Sequence, residues 1–290
     1  MNEWGTALAV ILGIVEGLTE FLPVSSTGHL ILVGHALGFT GDVAANAEIS
    51  IQLGAILAVI VFERQKIARL ISGLWQEQAE LRHGVKSGQQ TWTTALRTSM
   101  RAHANLWFVI GLGIAFLPAA VIGLLAHGWI KAYLFTPYTV AATSIIGGII
   151  ILIVESMKRP SRAMRLEEVS VIDAFWVGVA QCASLIPGMS RSGSTIIGGL
   201  LAGLDRKVAT EYSFFLALPT IIAATVYETY KAKALFTNQD FVALGIGMIV
   251  SFLVAWAVIA AFLTYVQRHT LRVFAYYRIL LGIVVFVVFR

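Results

Sequence analysis

The sequence predicts an all-α polytopic membrane protein, with six transmembrane helices and two re-entrant helical hairpins in an inverted-topology repeat. Three observations predict this fold. First, the 290 residues are 58% hydrophobic and only 13% charged, which is too little charge for a soluble domain of this length. Second, uncharged runs such as residues 106–126 are long enough to cross a hydrocarbon layer of about 30 Å. Third, basic residues cluster in alternate connections, and two apolar stretches resemble each other.

The predicted spans follow from the apolar segments, which lie at residues 46–62, 106–126, 138–154, 210–229, 241–265 and 273–289. Four polar stretches are rich in Lys and Arg, at residues 63–105, 156–170, 206–207 and 268–272. The other two connections between spans contain only three basic residues, Lys131, Lys231 and Lys233. Because an excess of Lys and Arg marks cytoplasmic loops, we expect the four basic clusters on the cytoplasmic side.

Two further apolar stretches, residues 1–45 and 171–205, must then each begin and end on one side of the membrane. Each contains a proline in mid-segment, so we expect each to be a re-entrant hairpin whose tip lies within the membrane. The alternative makes residues 4–22 a plain span, which requires a second crossing over residues 26–41. The N-terminal sequence lacks the features of a cleaved signal peptide.

The two hairpins carry similar motifs, SSTGH at residues 25–29 and SRSGS at residues 190–194. The spans that follow them also open alike, each with a Glu-x-Ser motif. These similarities predict a single membrane domain made of two repeats, residues 1–155 and 171–290. Because an odd number of spans accompanies each hairpin, the repeats are expected to point in opposite directions. Inverted repeats with broken helices place their site near the membrane midplane, where the breaks meet.

The first hairpin carries ionisable groups that are rare in lipid. Glu16 and Glu20 lie four residues apart, which places them on one face of a helix. Their repulsion requires a compensating cation, such as an arginine, a metal ion or protons. After the break at Pro23, a new helix N-terminus suits phosphate. Ser25, Ser26 and Thr27 can cap this helix, and Ser25 and Thr27 are expected to bind the phosphate. His29 falls in its first turn, although taken alone it would be read as a hydrogen-bonded core histidine.

The second hairpin adds an arginine to a similar break. Its sequence PGMSRSGST, at residues 187–195, offers glycines, a helix start and hydroxyl groups. The hydroxyl groups that we expect to bind phosphate belong to Ser190, Ser192 and Thr195. Arg191 can hold two phosphate oxygens through parallel hydrogen bonds, and its alternative role is an ion pair with Glu16 or Glu20. Together the two tips predict a phosphoryl-transfer centre.

These motifs resemble the signatures of a known family. EGLTEFLPVSSTGH and PGMSRSGST are similar to the two motifs of the bacterial undecaprenyl-diphosphate phosphatases, which are linked to bacitracin resistance. EISIQLGAILAV and EYSFFLALP extend the resemblance over nearly the whole chain. The resemblance implies hydrolysis of undecaprenyl diphosphate to undecaprenyl phosphate and phosphate, which recycles the lipid carrier for cell-wall synthesis. It also implies a bacterial plasma membrane, a divalent cation, and a site open to the outer face. The family's important positions fall on Glu16, Glu20, Ser26, His29 and Arg191.

The residues and the resemblance lead to one preferred mechanism. Glu16 and Glu20 bind a Mg²⁺ or Ca²⁺ that bridges the phosphates, and Arg191 holds their oxygens. Ser26 attacks the terminal phosphorus, and His29 takes its proton or orients the group. Water then hydrolyses the phosphoserine. Two variants stay open, in which His29 is itself the nucleophile or a metal-bound water attacks directly.

A polyprenyl-phosphate transporter or flippase is the alternative function, because inverted repeats with broken helices are typical of transporters. A channel is disfavoured, since the charges cluster at one place. The expected partners are a polyprenyl diphosphate and membrane lipid, with no nucleic acid, and a homodimer is left open. The role of residues 63–105 is unassigned, and Arg278 is expected at the cytoplasmic membrane interface.

Overall fold

The computed structural model describes residues 5–87, 91–157, 160–232 and 238–289. Twelve α-helices account for most of these described residues, as the sequence predicts for an all-α protein. Several predicted features lie outside the described residues: the N-terminal end of the first hairpin and the basic residues Lys158, Arg159 and Lys233. The helices are α1 (Thr6–Thr19), α2 (Ser26–Ala36), α3 (Asp42–Phe62), α4 (Arg64–Lys86), α5 (Trp92–Ala102), α6 (Ala104–Tyr133), α7 (Pro137–Ser156), α8 (Val171–Gln181), α9 (Arg191–Leu201), α10 (Arg206–Ala232), α11 (Asn238–Val266) and α12 (Arg272–Val288).

Four helices of the described chain are long and apolar enough to cross a membrane. They are α6, α7, the Arg206–Tyr227 part of α10 and the Phe241–Val266 part of α11. Each coincides with one of the predicted spans. The two other predicted spans, residues 46–62 and 273–289, fall on α3 and α12. The protein is therefore an integral membrane protein with several apolar helices.

Each predicted hairpin consists of two helices that are separated by a break in the helical backbone. The first break, residues 20–25, separates α1 from α2, and the second break, residues 186–190, precedes α9. The helix α1 ends at Thr19 and not at Pro23, because a proline ring clashes with the carbonyl group four residues earlier and restricts the residue before it. Helix α8 continues only as a short 3₁₀ turn, Cys182–Leu185, before the second break.

The two breaks close with the same local geometry. Ser25 and Ser190 have φ angles of 72° and 71°, a region in which residues other than glycine are uncommon. Each side chain caps the following helix by accepting a hydrogen bond from the amide three residues later, from Gly28 at 3.2 Å and from Gly193 at 3.0 Å. The two serines are the aligned first residues of the SSTGH and SRSGS motifs.

The helices pack in corresponding pairs. Helix α1 packs along α11, and α8 packs along α6; likewise α3 packs on α11, and α10 packs on α6. Close approach depends on small residues, as is usual between helices in lipid. A Cβ atom on Gly17 of α1 would lie 2.6 Å from the carbonyl oxygen of Ser251, and one on Gly178 of α8 would lie 2.5 Å from that of Ala115. Helices α3 and α10 contact each other, as do α7 and α12.

The four basic clusters meet at one end of the molecule. Lys66, from the first cluster, lies 3.0 Å from Glu211 of α10. Arg206, from the third cluster, lies 2.8 Å from Glu155 at the end of α7. Glu155 also accepts a hydrogen bond from the amide of Leu271, beside the fourth cluster. These contacts join residues of the basic connections through Glu211 and Glu155.

Candidate active site

The two breaks lie against each other. Arg191, the first residue of α9, donates from Nη2 to Oε1 of Glu20 at 2.9 Å. Ser192 donates to the carbonyl oxygen of Leu22 in the first break at 2.7 Å. Both charged side chains are nearly buried, because the exposed fraction is 12% for Arg191 and 5% for Glu20. The sequence left the acidic partner of Arg191 open between Glu16 and Glu20, and the structure places it on Glu20.

Arg191 is fixed in its orientation by helix α10 and by an aromatic ring. Its Nη1 donates to the carbonyl oxygen of Ser213 at 2.8 Å, and its guanidinium carbon lies 5.8 Å from the ring centroid of Phe21. Its buried Nε has no hydrogen-bond partner among the described residues. A donor is therefore available for an anion while the rest of the guanidinium group is held.

Glu20 links Arg191 to Ser26. The hydroxyl group of Ser26 donates to Oε2 of Glu20, while Oε1 accepts from Arg191. Ser26 is the first residue of α2 and is buried. The carboxylate is thus the group in reach of the Ser26 proton, and it also accepts from Arg191.

Glu16 lies one turn before Glu20 on α1 and is in a different situation. It is fully buried, and neither of its carboxylate oxygens has a hydrogen-bond partner among the described residues. A buried polar group without a partner is costly. Such a carboxylate is suited to a cation or to a ligand that completes the site.

His29 does not contact Ser26 through the hydrogen bonds that the structure records. Its Nδ1 lies 2.7 Å from the carbonyl oxygen of Ser25, so Nδ1 carries the donated proton. Its Nε2 lies 2.7 Å from the hydroxyl group of Tyr277, which donates to it. The two ring planes are nearly parallel, 4° apart. The expectation that His29 takes the proton of Ser26 directly stays a prediction, and the recorded contacts favour Glu20 for this step.

The other predicted phosphate-binding residues line the two helix starts. Ser25 and Ser190 are the helix caps described above. The hydroxyl groups of Ser190 and Ser192 are 3.1 Å apart, and Thr195 shares a 2.7 Å hydrogen bond with Ser213. Thr27 is partly buried in the first turn of α2. The predicted set is therefore gathered at the two N-termini, where free amide groups and the helix dipoles favour an anion.

Arg278 is not at a membrane interface, and that expectation is wrong. The residue is 1% exposed, and α12, which carries it, packs against α7. Its guanidinium group donates to carbonyl oxygens of both breaks, at Pro23 and Gly188. An arginine within an apolar span was the available signal, since ionisable residues in membrane segments are functional candidates.

Sequence reasoning also missed Ser213 and Tyr277 as members of the site. Ser213 belongs to the Glu-x-Ser motif that marked the repeat, but the motif gave no indication that this serine would contact Arg191. Tyr277 lies 248 residues from His29 in the chain. Both contacts depend on tertiary packing, and the linear pattern contains no distance information of this kind.

The predicted Glu16 and Glu20 pair fits a divalent cation in part. No cluster of three or more His, Cys, Asp or Glu residues arranged for a metal occurs in the described part of the chain. Both oxygens of Glu20 accept hydrogen bonds, whereas neither oxygen of Glu16 has a hydrogen-bond partner within the described ranges. Mg²⁺ is commonly held by one or two carboxylates together with substrate phosphates, so Glu16 is the residue best suited to hold the ion.

Comparison with known proteins gives the family of the chain. The bacitracin resistance protein BacA family matches residues 9–284. A protein of Acinetobacter baumannii named undecaprenyl-diphosphatase is 44% identical over 99% of this chain and 97% of its own length. Proteins of the same name from Caldanaerobacter subterraneus and Laribacter hongkongensis are 46% and 47% identical, over 95% and 96% of this chain and 93% of their own lengths. The chain therefore belongs to the bacitracin resistance protein BacA family.

Proposed function

We propose that this protein is an undecaprenyl-diphosphate phosphatase whose reaction takes place between the two helix breaks. It converts undecaprenyl diphosphate and water to undecaprenyl phosphate and phosphate. This reaction recycles the lipid carrier of cell-wall synthesis and underlies the bacitracin resistance of the family name. Relatives that cover nearly the whole chain are named for this activity. The hydrogen-bonded series Ser26–Glu20–Arg191, placed where two helix N-termini meet, carries the assignment.

The phosphate groups of the substrate bind at the starts of α2 and α9. Free amide groups there donate to phosphate oxygens, and Arg191 adds a charged donor. Arg191 is paired with Glu20. A bound diphosphate competes for the same guanidinium group, and the unpaired Nε supplies one further bond. Charge that develops on the phosphate oxygens in the transition state is stabilised by these fixed donors.

Ser26 is the proposed nucleophile. Its Oγ forms a bond to the terminal phosphorus, the bond from that phosphorus to the bridging oxygen breaks, and undecaprenyl phosphate leaves. Glu20 accepts the proton of the Ser26 hydroxyl group, because it already receives that hydrogen bond. Water then hydrolyses the phosphoserine and releases phosphate. His29 borders the site and orients the N-terminus of α2 through Ser25; its use as the nucleophile is the alternative.

A divalent cation completes this proposal. Glu16 would hold a Mg²⁺ or Ca²⁺, with Glu20 as the second carboxylate when substrate draws Arg191 away. When bound, such an ion neutralises charge on the diphosphate oxygens. The two unpaired oxygens of Glu16 support this role.

The proposed membrane arrangement has six spans and two re-entrant hairpins in an inverted repeat, within the inner membrane. Helix α1 has 14 residues, or about 21 Å, which is short of the roughly 30 Å hydrocarbon layer. The matching helix pairs and the matching caps at Ser25 and Ser190 support the two repeats, residues 1–155 and 171–290. The basic clusters at one end support a cytoplasmic orientation of that end, with the site open to the outer face. A homodimer stays a prediction.

Phosphate release from undecaprenyl diphosphate by the purified protein in detergent tests this function. We expect release that depends on a divalent cation, with undecaprenyl phosphate as the lipid product. The alternative flippase moves the lipid between leaflets of a vesicle without breaking a bond. Lipid movement with no release of phosphate under any cation would replace the phosphatase assignment by the transport one.

A further inference from the structure

Arg278 is a buried cation that the proposed reaction does not use. It lies in the middle of α12 with 1% of its surface exposed, and no carboxylate pairs with it among the described residues. Its guanidinium group instead donates to backbone carbonyl oxygens, which satisfy it at distances between 2.9 and 3.4 Å: those of Pro23, Thr143, Ser144 and Gly188. A buried charge of this kind is costly unless its hydrogen bonds are made.

The acceptors of Arg278 come from both halves of the chain. Pro23 belongs to the first break, and its carbonyl oxygen lies 3.1 Å from Nη1. Gly188 belongs to the second break, and its carbonyl oxygen lies 2.9 Å from Nη2. Thr143 of α7 supports the same region, because its hydroxyl group donates to the carbonyl oxygen of Pro187 at 2.7 Å. One rigid guanidinium group therefore joins the two breaks to each other and to α7.

We propose that Arg278 is a positioning residue that sets the placement of Ser26 relative to Arg191. Its planar guanidinium group, whose donor directions are fixed, donates hydrogen bonds to one carbonyl oxygen of each break. The carbonyl dipoles at the breaks then point to Arg278, and the amide groups at the starts of α2 and α9 stay available to phosphate. This inference rests on the proposed phosphatase function.

The size of the expected effect follows from the geometry of phosphoryl transfer. The attacking oxygen and the stabilising arginine lie on different hairpins, and only packing and hydrogen bonds between the hairpins fix their separation. A displacement of about 1 Å in a catalytic group can lower a rate by about 100-fold. Looser joining of the two breaks should therefore lower kcat, whereas the ground-state affinity for the long lipid should change little.

The neighbouring glycines provide a way to move Arg278 without removing it. A Cβ atom on Gly147 of α7 would overlap the guanidinium group, and one on Gly193 would lie 3.1 Å from Nη1. Gly147→Ala should therefore displace the guanidinium group of Arg278 without removing its charge. Gly113 of α6 is a matched control, since a Cβ atom there has no neighbour within 4 Å.

The experiment compares purified wild type, Arg278→Lys, Arg278→Met, Gly147→Ala and Gly113→Ala. Folded protein is isolated by size-exclusion chromatography, and kcat and KM for a prenyl diphosphate are measured per folded molecule. We expect Arg278→Lys and Gly147→Ala to lose about tenfold or more in kcat with KM changed by less than about threefold, and Arg278→Met to lose more. Gly113→Ala should match wild type.

Two results would overturn the inference. If folded Arg278→Lys and Gly147→Ala turn over at the wild-type rate, Arg278 has only a structural role, visible as a lower yield or Tm. If KM rises while kcat is kept, Arg278 binds the substrate directly and does not act through the breaks. A wild-type protein that releases no phosphate would instead contradict the proposed function, and the variants would not be needed to see it.

Discussion

His29 and Tyr277 are joined by a 2.7 Å hydrogen bond between Nε2 and the phenol hydroxyl group, with their rings nearly parallel. This contact connects the first turn of α2 to α12. It occupies the one ring nitrogen of His29 that could accept a proton, since Nδ1 donates to Ser25. The histidine is thereby oriented from both sides, beside the site and without a recorded bond to Ser26.

Removal of the Tyr277 hydroxyl group tests whether this orientation matters to the reaction. Tyr277→Phe keeps the ring beside His29 but removes the partner of Nε2, so we expect a loss of about tenfold in kcat, in the range of one lost orienting hydrogen bond. Tyr276→Phe is the control, because Tyr276 is 60% exposed on the same helix turn. Equal turnover of the two variants would show that His29 needs no partner at Nε2.

The two glutamates should differ when each is changed to glutamine. Glu20 accepts hydrogen bonds from both Ser26 and Arg191. We therefore expect Glu20→Gln to lose most activity at any cation concentration. Glu16 has unpaired oxygens, so Glu16→Gln should require about tenfold or more additional Mg²⁺ or Ca²⁺ for half-maximal rate, because an amide is a weaker ligand than a carboxylate. Titration of phosphate release with each cation, after removal of metal by a chelator, measures both. An unchanged cation requirement in both variants would remove the metal site from this pair.

Labelling of intact cells tests the orientation in the membrane. A Cys182→Ser protein has no cysteine, and single cysteines can then be placed at positions 2 and 88, both outside the described residues. The basic clusters predict that an impermeant maleimide labels position 2 in intact cells and position 88 only after the membrane is opened. The reverse pattern would invert the molecule and place the basic clusters outside.

The helices and the two breaks could be predicted from short stretches of neighbouring residues. The apolar segments predicted where helices lie, and proline with capping serines predicted where two of them break. The alignment of SSTGH with SRSGS matched Ser25 to Ser190, which share an unusual φ angle and the same cap. Backbone geometry of this kind is determined by a few neighbouring residues, so it can be predicted from the sequence.

The contacts within the site could be predicted from the sequence only in part. Sequence reasoning assigned Glu16 and Glu20 together to a metal ion and gave Glu20 a catalytic role as well. It did not predict that Ser26 and Arg191 would both donate to Glu20, or that Glu16 would have no hydrogen-bond partner among the described residues. Arg278 was expected at the cytoplasmic membrane interface. Its carbonyl partners lie in three other parts of the chain, and only the assembled structure reveals that they converge.

The central claim is that the two helix breaks form one phosphate site in which Ser26 attacks and Arg191 stabilises. Turnover of a prenyl diphosphate by purified Ser26→Ala, Arg191→Lys and Arg191→Ala tests it most directly, with Arg97→Ala, an exposed arginine of α5, as the control. A positioned arginine can contribute roughly 1,000-fold or more to phosphoryl transfer, and lysine lacks its paired donors. We therefore predict that Arg191→Lys is severely impaired and that Arg191→Ala and Ser26→Ala are nearly inactive, all three folded. Near wild-type turnover by Ser26→Ala would rule out the serine mechanism, and near wild-type turnover by Arg191→Ala would contradict the phosphate site itself.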